Sequence, residues 1–155
     1  MSIKIGIFGY GNIGKGIECA VKQNPDMELA AVFTRRDPAT VKTVFGETSV
    51  VSASEVEDYA DKIDVMIMCG GSATDLPKQT PYLAQYFNVV DSFDTHAKIP
   101  AHVSAVEEKA NKSRKTAIVS AGWDPGMFSI ARLYADSMSG TSLFMPATTI
   151  TLSGP

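Results

Sequence analysis

Three glycines near the start of the chain have the spacing of a phosphate-binding turn. Gly9-Tyr10-Gly11-Asn12-Ile13-Gly14 fits the pattern G-x-G-x-x-G and lies between a short apolar run and a helical pattern. In that context the first glycine permits a tight turn, the second lets the backbone approach a pyrophosphate, and the third lets helix and strand pack closely. The start of a helix adds free N–H groups and partial positive charge. The spacing predicts a dinucleotide site, against the alternative of an ordinary strand-to-helix turn.

A pair of arginines follows at the distance where such a site discriminates between cofactors. About 20 residues beyond the glycine pattern, the sequence reads Thr34-Arg35-Arg36-Asp37. A carboxylate at this place would bind the ribose 2′-OH of NAD, whereas guanidinium groups match a 2′-phosphate, and Thr34 adds a hydroxyl. We therefore predict NADP as the cofactor. The alternatives are a solvated surface pair of arginines and a competing role for Asp37, one residue further on.

Two polar loops after the next strong strands carry further candidates, because open α/β sheets bind ligands beyond the carboxyl ends of their strands. In the segment CGGSAT, Ser72, Ala73 and Thr74 follow two glycines that leave room for a cofactor. The cysteine before them is expected to be a small buried apolar residue rather than a nucleophile. In the segment DSFDTH, Asp94 and His96 are candidates for substrate contact or proton transfer, with a turn or capping role as the alternative.

The only tryptophan lies in a third such loop. In the segment GWDPGM, Trp123 and Asp124 together suit an ammonium group, which the ring face and the carboxylate both attract. The alternative is a core tryptophan with Asp124 capping the next helix.

The elements that position these loops alternate along the chain. Short apolar runs predict strands at residues 2–8, 27–33, 64–69, 88–91 and 116–120, with a further short strand near residue 51. Helical patterns occupy residues 13–23, 76–86, 99–112 and 128–137, with a shorter helix capped by Ser52 or Ser54 and an ambiguous stretch over 41–51. On the first helix, Ile13, Ile17, Ala20 and Val21 share one face. This order predicts an α/β fold with a doubly wound, mainly parallel sheet of the Rossmann type.

Composition sets the remaining limits. The 155 residues suit one domain, and a formal charge of −3 gives no general attraction to nucleic acid or anionic membrane. The two cysteines form no metal-binding cluster, and no apolar stretch approaches the length of a membrane span. We expect a cytoplasmic protein without a metal site.

The combined motifs resemble those of the meso-diaminopimelate dehydrogenases. IFGYGNIGKGIE, VFTRR, MCGGSATDLP, VDSFDTHAKIP and VSAGWDPGMFSIARLYA carry the resemblance in the expected order. It implies NADP-dependent oxidative deamination of the D-centre of meso-2,6-diaminopimelate to L-2-amino-6-oxopimelate and ammonia, in lysine biosynthesis. Another NADP-linked amino-acid or imine reductase is the less fitting alternative.

The resemblance also implies roles for particular residues. Cofactor contacts fall on the glycine turn, on Thr34 to Arg36 and on Ser72 to Thr74; near the nicotinamide they fall on Pro125, Gly126, Met127, Phe128 and Ser129. Substrate contacts fall on Asp94, Trp123 and Asp124, with Asp124 the best candidate for proton handling and Asp94 the second catalytic candidate.

The chain departs from the family in length. Family members are about twice as long and form homodimers through a second domain that also binds the distal carboxylate of the substrate, and Ser153 replaces their usual tryptophan. We predict an NADP-binding domain over residues 1–136 and the truncated start of a substrate and dimerisation domain over 137–155. A non-catalytic NADP-binding fragment is the alternative function.

Overall fold

A computed structural model describes residues 2–123, 126–139 and 152–153 of the chain. The strands are β1 (Ile3–Phe8), β2 (Met27–Thr34), β3 (Val50–Ser52), β4 (Val65–Met68), β5 (Asn88–Asp91), β6 (Ala117–Ile118) and β7 (Leu152–Ser153). The α-helices are α1 (Asn12–Gln23), α2 (Leu76–Leu83), α3 (Ile99–Ser113) and α4 (Met127–Ser139). Short 3₁₀ helices occupy Pro38–Thr40, Ala53–Tyr59 and His96–Lys98.

The strands form one sheet in the order β3-β2-β1-β4-β5-β6-β7. All neighbours from β3 to β6 are parallel, and β7 pairs antiparallel with β6. β1 is central, with Ile7 opposite Val32 on one side and Ile67 on the other. The predicted doubly wound, mainly parallel Rossmann sheet is thereby confirmed, and the chain order reverses direction between β1 and β4, where such folds bind ligands.

Apolar residues cover both faces of this sheet. Successive residues of β1 point to opposite faces, and Ile7 and Phe8 accordingly belong to different buried clusters. Ile7 lies on the face of the sheet that packs against Ile17 of α1. Phe8 lies on the opposite face, in the cluster that includes Leu83 of α2 and Val106 of α3. Two-sided burial explains why the strands are continuously apolar rather than alternating.

The buried face of α1 differs from the sequence prediction. Ile13 is 49% exposed, and Ala20 is also exposed, whereas Gly14, Glu18 and Val21 are buried. The close contact that Gly14 makes with the turn before it fixes the rotation of the helix, and the carboxylate of Glu18 finds hydrogen-bond donors in the interior. A prediction that relies on apolar residues alone cannot place Gly14 and Glu18 on the buried face of the helix.

Two helices also differ from their predicted form. The segment after Ser52 is a 3₁₀ helix rather than an α-helix, although the predicted cap is confirmed, since Ser52 Oγ accepts a hydrogen bond from Ser54 N at 3.3 Å. α2 ends at Leu83 rather than residue 86 and contains Pro81, which removes one helical N–H. Helices α1, α3 and α4 agree with prediction to within two residues.

None of the helices in the described ranges is long and apolar enough to cross a membrane.

Candidate functional site

The glycine turn between β1 and α1 has the geometry that each glycine was predicted to supply. Gly9 adopts φ +97°, and a Cβ there would lie 3.2 Å from the backbone carbonyl of Cys69. A Cβ on Gly14 would lie 2.5 Å from the carbonyl oxygen of Gly9, closer than real side chains approach. At Gly11, by contrast, a Cβ would meet no atom within 4 Å. The turn is therefore packed behind Gly9 and Gly14 and open at Gly11, as a site for a pyrophosphate requires.

The side chain of Tyr10 anchors this turn from inside. It is 4% exposed, and its hydroxyl is hydrogen-bonded to the buried carboxylate of Glu18. Burial, followed by this bond, raises the pKa of Tyr10 to about 12. Glu18 also accepts from Val44 N at 2.9 Å. The remaining residues of the pattern, Asn12 and Ile13, are exposed on the first turn of α1.

The two arginines beyond β2 each have a protein partner. Arg35 donates from Nη1 and Nη2 to the two carboxylate oxygens of Asp75, at 2.8 and 2.9 Å. Arg36 donates from Nη2 to the carbonyl oxygen of Tyr10 at 2.8 Å. Both arginines are exposed at the surface, as the alternative of a solvated pair also expects, but each guanidinium group contacts the glycine turn or a loop next to it.

The residues flanking this pair are engaged with the backbone. Thr34 is 4% exposed, and its Oγ1 accepts from Arg36 N at 3.1 Å. Asp37 Oδ1 accepts from Ala39 N at 3.0 Å and caps the 3₁₀ helix that follows. Asp37 thus has a local structural partner, which explains its place in the loop without a cofactor.

Asp75, which sequence reasoning missed, organises the loop after β4. Its Oδ2 accepts from Gly71 N at 3.1 Å in addition to the contact with Arg35. The Gly71 N–H and then the guanidinium of Arg35 lower the pKa of Asp75. The available signal was its position at the start of α2, two residues before Pro77, where a side-chain acceptor is commonly found, although its carboxylate makes no capping hydrogen bond to the helix.

The loops after β4 and β5 meet through Ser72. Its Oγ accepts from Asp94 N at 2.9 Å and lies 3.2 Å from Oγ1 of Thr95. Ala73 and Thr74 are exposed beside it. The structure therefore brings together the predicted cofactor loop and the segment that contains the substrate candidate Asp94, which is itself exposed.

A buried pair behind these loops was also missed. Asp91, at the end of β5, accepts from His102 Nε2 at 2.6 Å and from the backbone N–H groups of Phe93 and Ser120. Burial alone would raise the pKa of Asp91, but these hydrogen bonds outweigh it and lower the pKa. One carboxylate thus fixes the start of two site loops. His102 was detectable in principle, because it lies on the apolar face of α3 with Val106.

The third loop presents its tryptophan at the surface. Trp123 is 70% exposed, and its ring stacks on Phe128 with centroids 6.3 Å apart. The alternative of a core tryptophan is therefore wrong. Met127 is also exposed, and Ser129 is buried. Asp124 and Pro125 lie outside the described residues, so their predicted roles stay predictions.

Cys69, which precedes the glycines of the β4 loop, is not suited to nucleophilic attack. Burial raises the pKa of its thiol to about 12, so the reactive thiolate is scarce at neutral pH. In the ranges that the structure describes, no three His, Cys, Asp or Glu side chains are grouped as a metal site requires.

All these loops lie at one edge of the sheet, because the strands from β3 to β6 run parallel and each loop follows the carboxyl end of its strand. Backbone and side-chain contacts link neighbouring loops along this edge. The parallel sheet and the open glycine turn define the class: a Rossmann domain with the architecture of a dinucleotide-binding site.

Sequence comparison with known proteins agrees with a dinucleotide-binding Rossmann domain and points to particular enzymes. The family described as "Dihydrodipicolinate reductase, N-terminus" matches residues 3–69. A meso-diaminopimelate D-dehydrogenase of Ureibacillus thermosphaericus is 60% identical over 134 residues, which is 86% of this chain and 41% of the relative.

Solved structures give the same result. Diaminopimelate dehydrogenase of Corynebacterium glutamicum in complex with DAP is 43% identical with a TM-score of 0.79, over 88% of this chain and 41% of that one. An engineered D-amino acid dehydrogenase bound to NADP+ is 43% identical with a TM-score of 0.80, over 89% of this chain and 42% of that one.

The resemblance to the meso-diaminopimelate D-dehydrogenases is therefore confirmed, and the similarity covers 86–88% of the chain. It spans about two fifths of the length of the curated relatives it matches.

Proposed function

We propose that this chain supplies the NADP-binding part of a meso-diaminopimelate D-dehydrogenase. The reaction it serves is the reversible oxidative deamination of meso-2,6-diaminopimelate to L-2-amino-6-oxopimelate and ammonia, in lysine biosynthesis. The observation that carries the proposal is the pair of arginines beyond β2, of which Arg36 lies directly against the glycine turn through the Tyr10 carbonyl. The relatives named above support the substrate, since one of them was solved with DAP.

The residues of the turn fit a dinucleotide. The space in front of Gly11, together with the free N–H groups at the start of α1, suits a pyrophosphate. Gly9, Tyr10, Asn12, Ile13 and Gly14 complete this cradle through their backbone.

The remaining cofactor contacts are proposed on neighbouring loops. Thr34, Arg35 and Arg36 would hold the 2′-phosphate, because guanidinium groups present paired N–H donors of fixed geometry to phosphate. Residues after β4 and after β6 would line the rest of the cofactor, those after β6 near its nicotinamide. They are Ser72, Ala73, Thr74, Pro125, Gly126, Met127, Phe128 and Ser129.

The substrate side of the proposal involves Asp94, Trp123 and Asp124. An exposed indole and a carboxylate attract an ammonium group, so Asp94 and Trp123 would bind and orient the D-amino group. Asp124 would handle its proton, with Asp94 as the second candidate. NADP supplies the hydride acceptor when it is bound.

Cofactor preference tests the proposal. NADPH and NADH are titrated against the chain by fluorescence or calorimetry. Charge-assisted contacts contribute about 1.5–3 kcal/mol each, so NADPH should bind at least about tenfold more tightly. Arg35→Ala combined with Arg36→Ala should remove most of this difference and leave NADH affinity nearly unchanged. Equal affinities of the unaltered chain for both cofactors would refute the assignment of NADP.

A second candidate function is binding of NADP without turnover. The observation that favours it is that the chain spans only two fifths of its relatives, and small errors in substrate position slow catalysis strongly. Absorbance of the reduced cofactor, followed after mixing the chain with NADP and meso-diaminopimelate, separates the two. Steady turnover would remove the binding-only function, whereas tight NADPH binding without turnover would support it.

We also propose a cytoplasmic location, no nucleic-acid or membrane partner, and a homodimer for the longer form of the family. The free cysteines Cys19 and Cys69 support a reducing compartment. We further propose the domain division at residues 136 and 137. Cell fractionation, sedimentation and limited proteolysis test these points.

A further inference from the structure

The ion pair between Arg35 and Asp75 has a geometry that matters for the cofactor. Both terminal nitrogens of the guanidinium are engaged by one carboxylate, at 2.8 and 2.9 Å. This is the same paired arrangement in which a guanidinium binds a phosphate group. The carboxylate of Asp75 therefore occupies the N–H donors of Arg35 that the proposed function assigns to the 2′-phosphate of NADP.

The pair also spans the site. Arg35 follows β2 and Asp75 lies in the loop after β4, and these two strands flank β1 on either side. The contact thus crosses the end of β1, where the glycine turn begins. Arg36 differs, because its partner is the neutral carbonyl of Tyr10 rather than an anion.

We propose that Asp75 is a specificity-determining residue for the cofactor, acting as an internal counter-anion that a 2′-phosphate must displace from Arg35. This inference rests on the proposed function. Asp75 lowers the affinity for a cofactor that carries a 2′-phosphate and leaves the affinity for one without it nearly unchanged.

The exposure of the two partners makes such an exchange feasible. The side chain of Arg35 is 65% exposed, whereas that of Asp75 is 19% exposed. A contact with so exposed a partner is weakened by solvent, so a phosphate with greater charge and three acceptor oxygens can replace the carboxylate. After the exchange, Asp75 retains its hydrogen bond from Gly71 N. Its negative charge still opposes the nearby phosphate, which adds to the effect of competition for Arg35.

A cofactor without the 2′-phosphate presents no anion at the 2′ position to exchange for Asp75, so the ion pair with Arg35 stays intact. The carboxylate therefore acts selectively on the phosphorylated cofactor. The pKa of Asp75, lowered by Gly71 N–H and by Arg35, keeps the carboxylate charged at neutral pH.

The test is Asp75→Asn, whose side-chain oxygen can still accept from Gly71 N. NADPH, NADH and 2′,5′-ADP are titrated against the unaltered chain and the variant at one fixed ionic strength. We expect NADPH and 2′,5′-ADP to bind about threefold to fivefold more tightly to the variant, the upper part of the range of a solvent-exposed ion pair. The change for NADH should stay below about twofold.

Two further variants make the result decisive. Asp75→Ser, which also removes the charge and is a favoured residue at the start of a helix, should show the same gain and serves if Asp75→Asn does not fold. In an Arg35→Ala background, Asp75→Asn should give less than half of the gain, because the competition no longer exists. Half of the gain or more in that background would overturn the displacement of Asp75 from Arg35.

The failures of the two proposals are distinguishable. If the unaltered chain binds NADPH and NADH equally, the proposed function fails and this inference fails with it. If the preference for NADPH holds, but both folded Asp75 variants bind NADPH unchanged or more weakly, only the inference is overturned.

Discussion

Replacing Gly14 with alanine tests whether close packing at the glycine turn stabilises the fold. The added Cβ would lie 2.5 Å from the carbonyl oxygen of Gly9 and 3.3 Å from Cγ2 of Ile7. The nearest atom belongs to the backbone and cannot rotate away as a flexible side chain does. The turn and α1 must therefore separate, and overpacking of this kind destabilises a protein by about 1–3 kcal/mol.

Gly16→Ala is the matched control within the same helix. A Cβ on Gly16 meets no atom within 4 Å, and the residue is exposed. Alanine at such a helical position stabilises by about 0.5–1 kcal/mol relative to glycine. Since Gly14 lies in the same helix, its substitution gains a similar amount, and the difference between the variants isolates the contact with Gly9.

The assay is urea unfolding followed by far-UV circular dichroism. We expect Gly14→Ala to have a free energy of unfolding about 1–3 kcal/mol below that of Gly16→Ala. The dependence on urea should be the same for both, which shows that the unfolded state has not changed. Equal stability of the two variants, or a more stable Gly14→Ala, would refute the packing argument.

Two other perturbations have defined outcomes. In Gly11→Ala the new methyl group enters open space that is proposed to hold the pyrophosphate. It should therefore weaken NADPH binding by at least about tenfold while changing the free energy of unfolding by less than about 1 kcal/mol. Unchanged NADPH affinity in calorimetry would show that the pyrophosphate does not bind at this turn. Asp91→Asn disturbs the buried contact with His102 and should destabilise the chain by about 1–3 kcal/mol at neutral pH. The pKa of Asp91 is lower in the folded state than in the unfolded state. The ionised carboxylate therefore stabilises the fold above the unfolded-state pKa of about 3.9, and this stabilisation is lost as the pH falls through the folded-state pKa. The stability difference between the variant and the unaltered chain, measured by urea unfolding, should therefore shrink below about pH 4; a difference that grows there would contradict the sign.

Local sequence determined the type of fold and the position of its glycine turn. Apolar runs separated by helical patterns predict a parallel sheet, and the spacing of Gly9, Gly11 and Gly14 assigns a distinct part to each glycine. These predictions succeed because both depend on neighbouring residues, namely the side-chain periodicity and the backbone freedom of a short segment. The offset from the turn to the two arginines is likewise a property of one strand–helix–strand unit.

Only the tertiary structure decided what the charged side chains contact. Arg35 meets Asp75, 40 positions further along the chain, because β2 and β4 both flank β1, and strand order cannot be read from chain order. Glu18 is buried because the 41–46 segment brings backbone donors to it. Trp123 is exposed although its size and apolarity favour burial. For Arg35 and Glu18 the deciding free energy comes from hydrogen bonds between distant segments, which no local pattern contains.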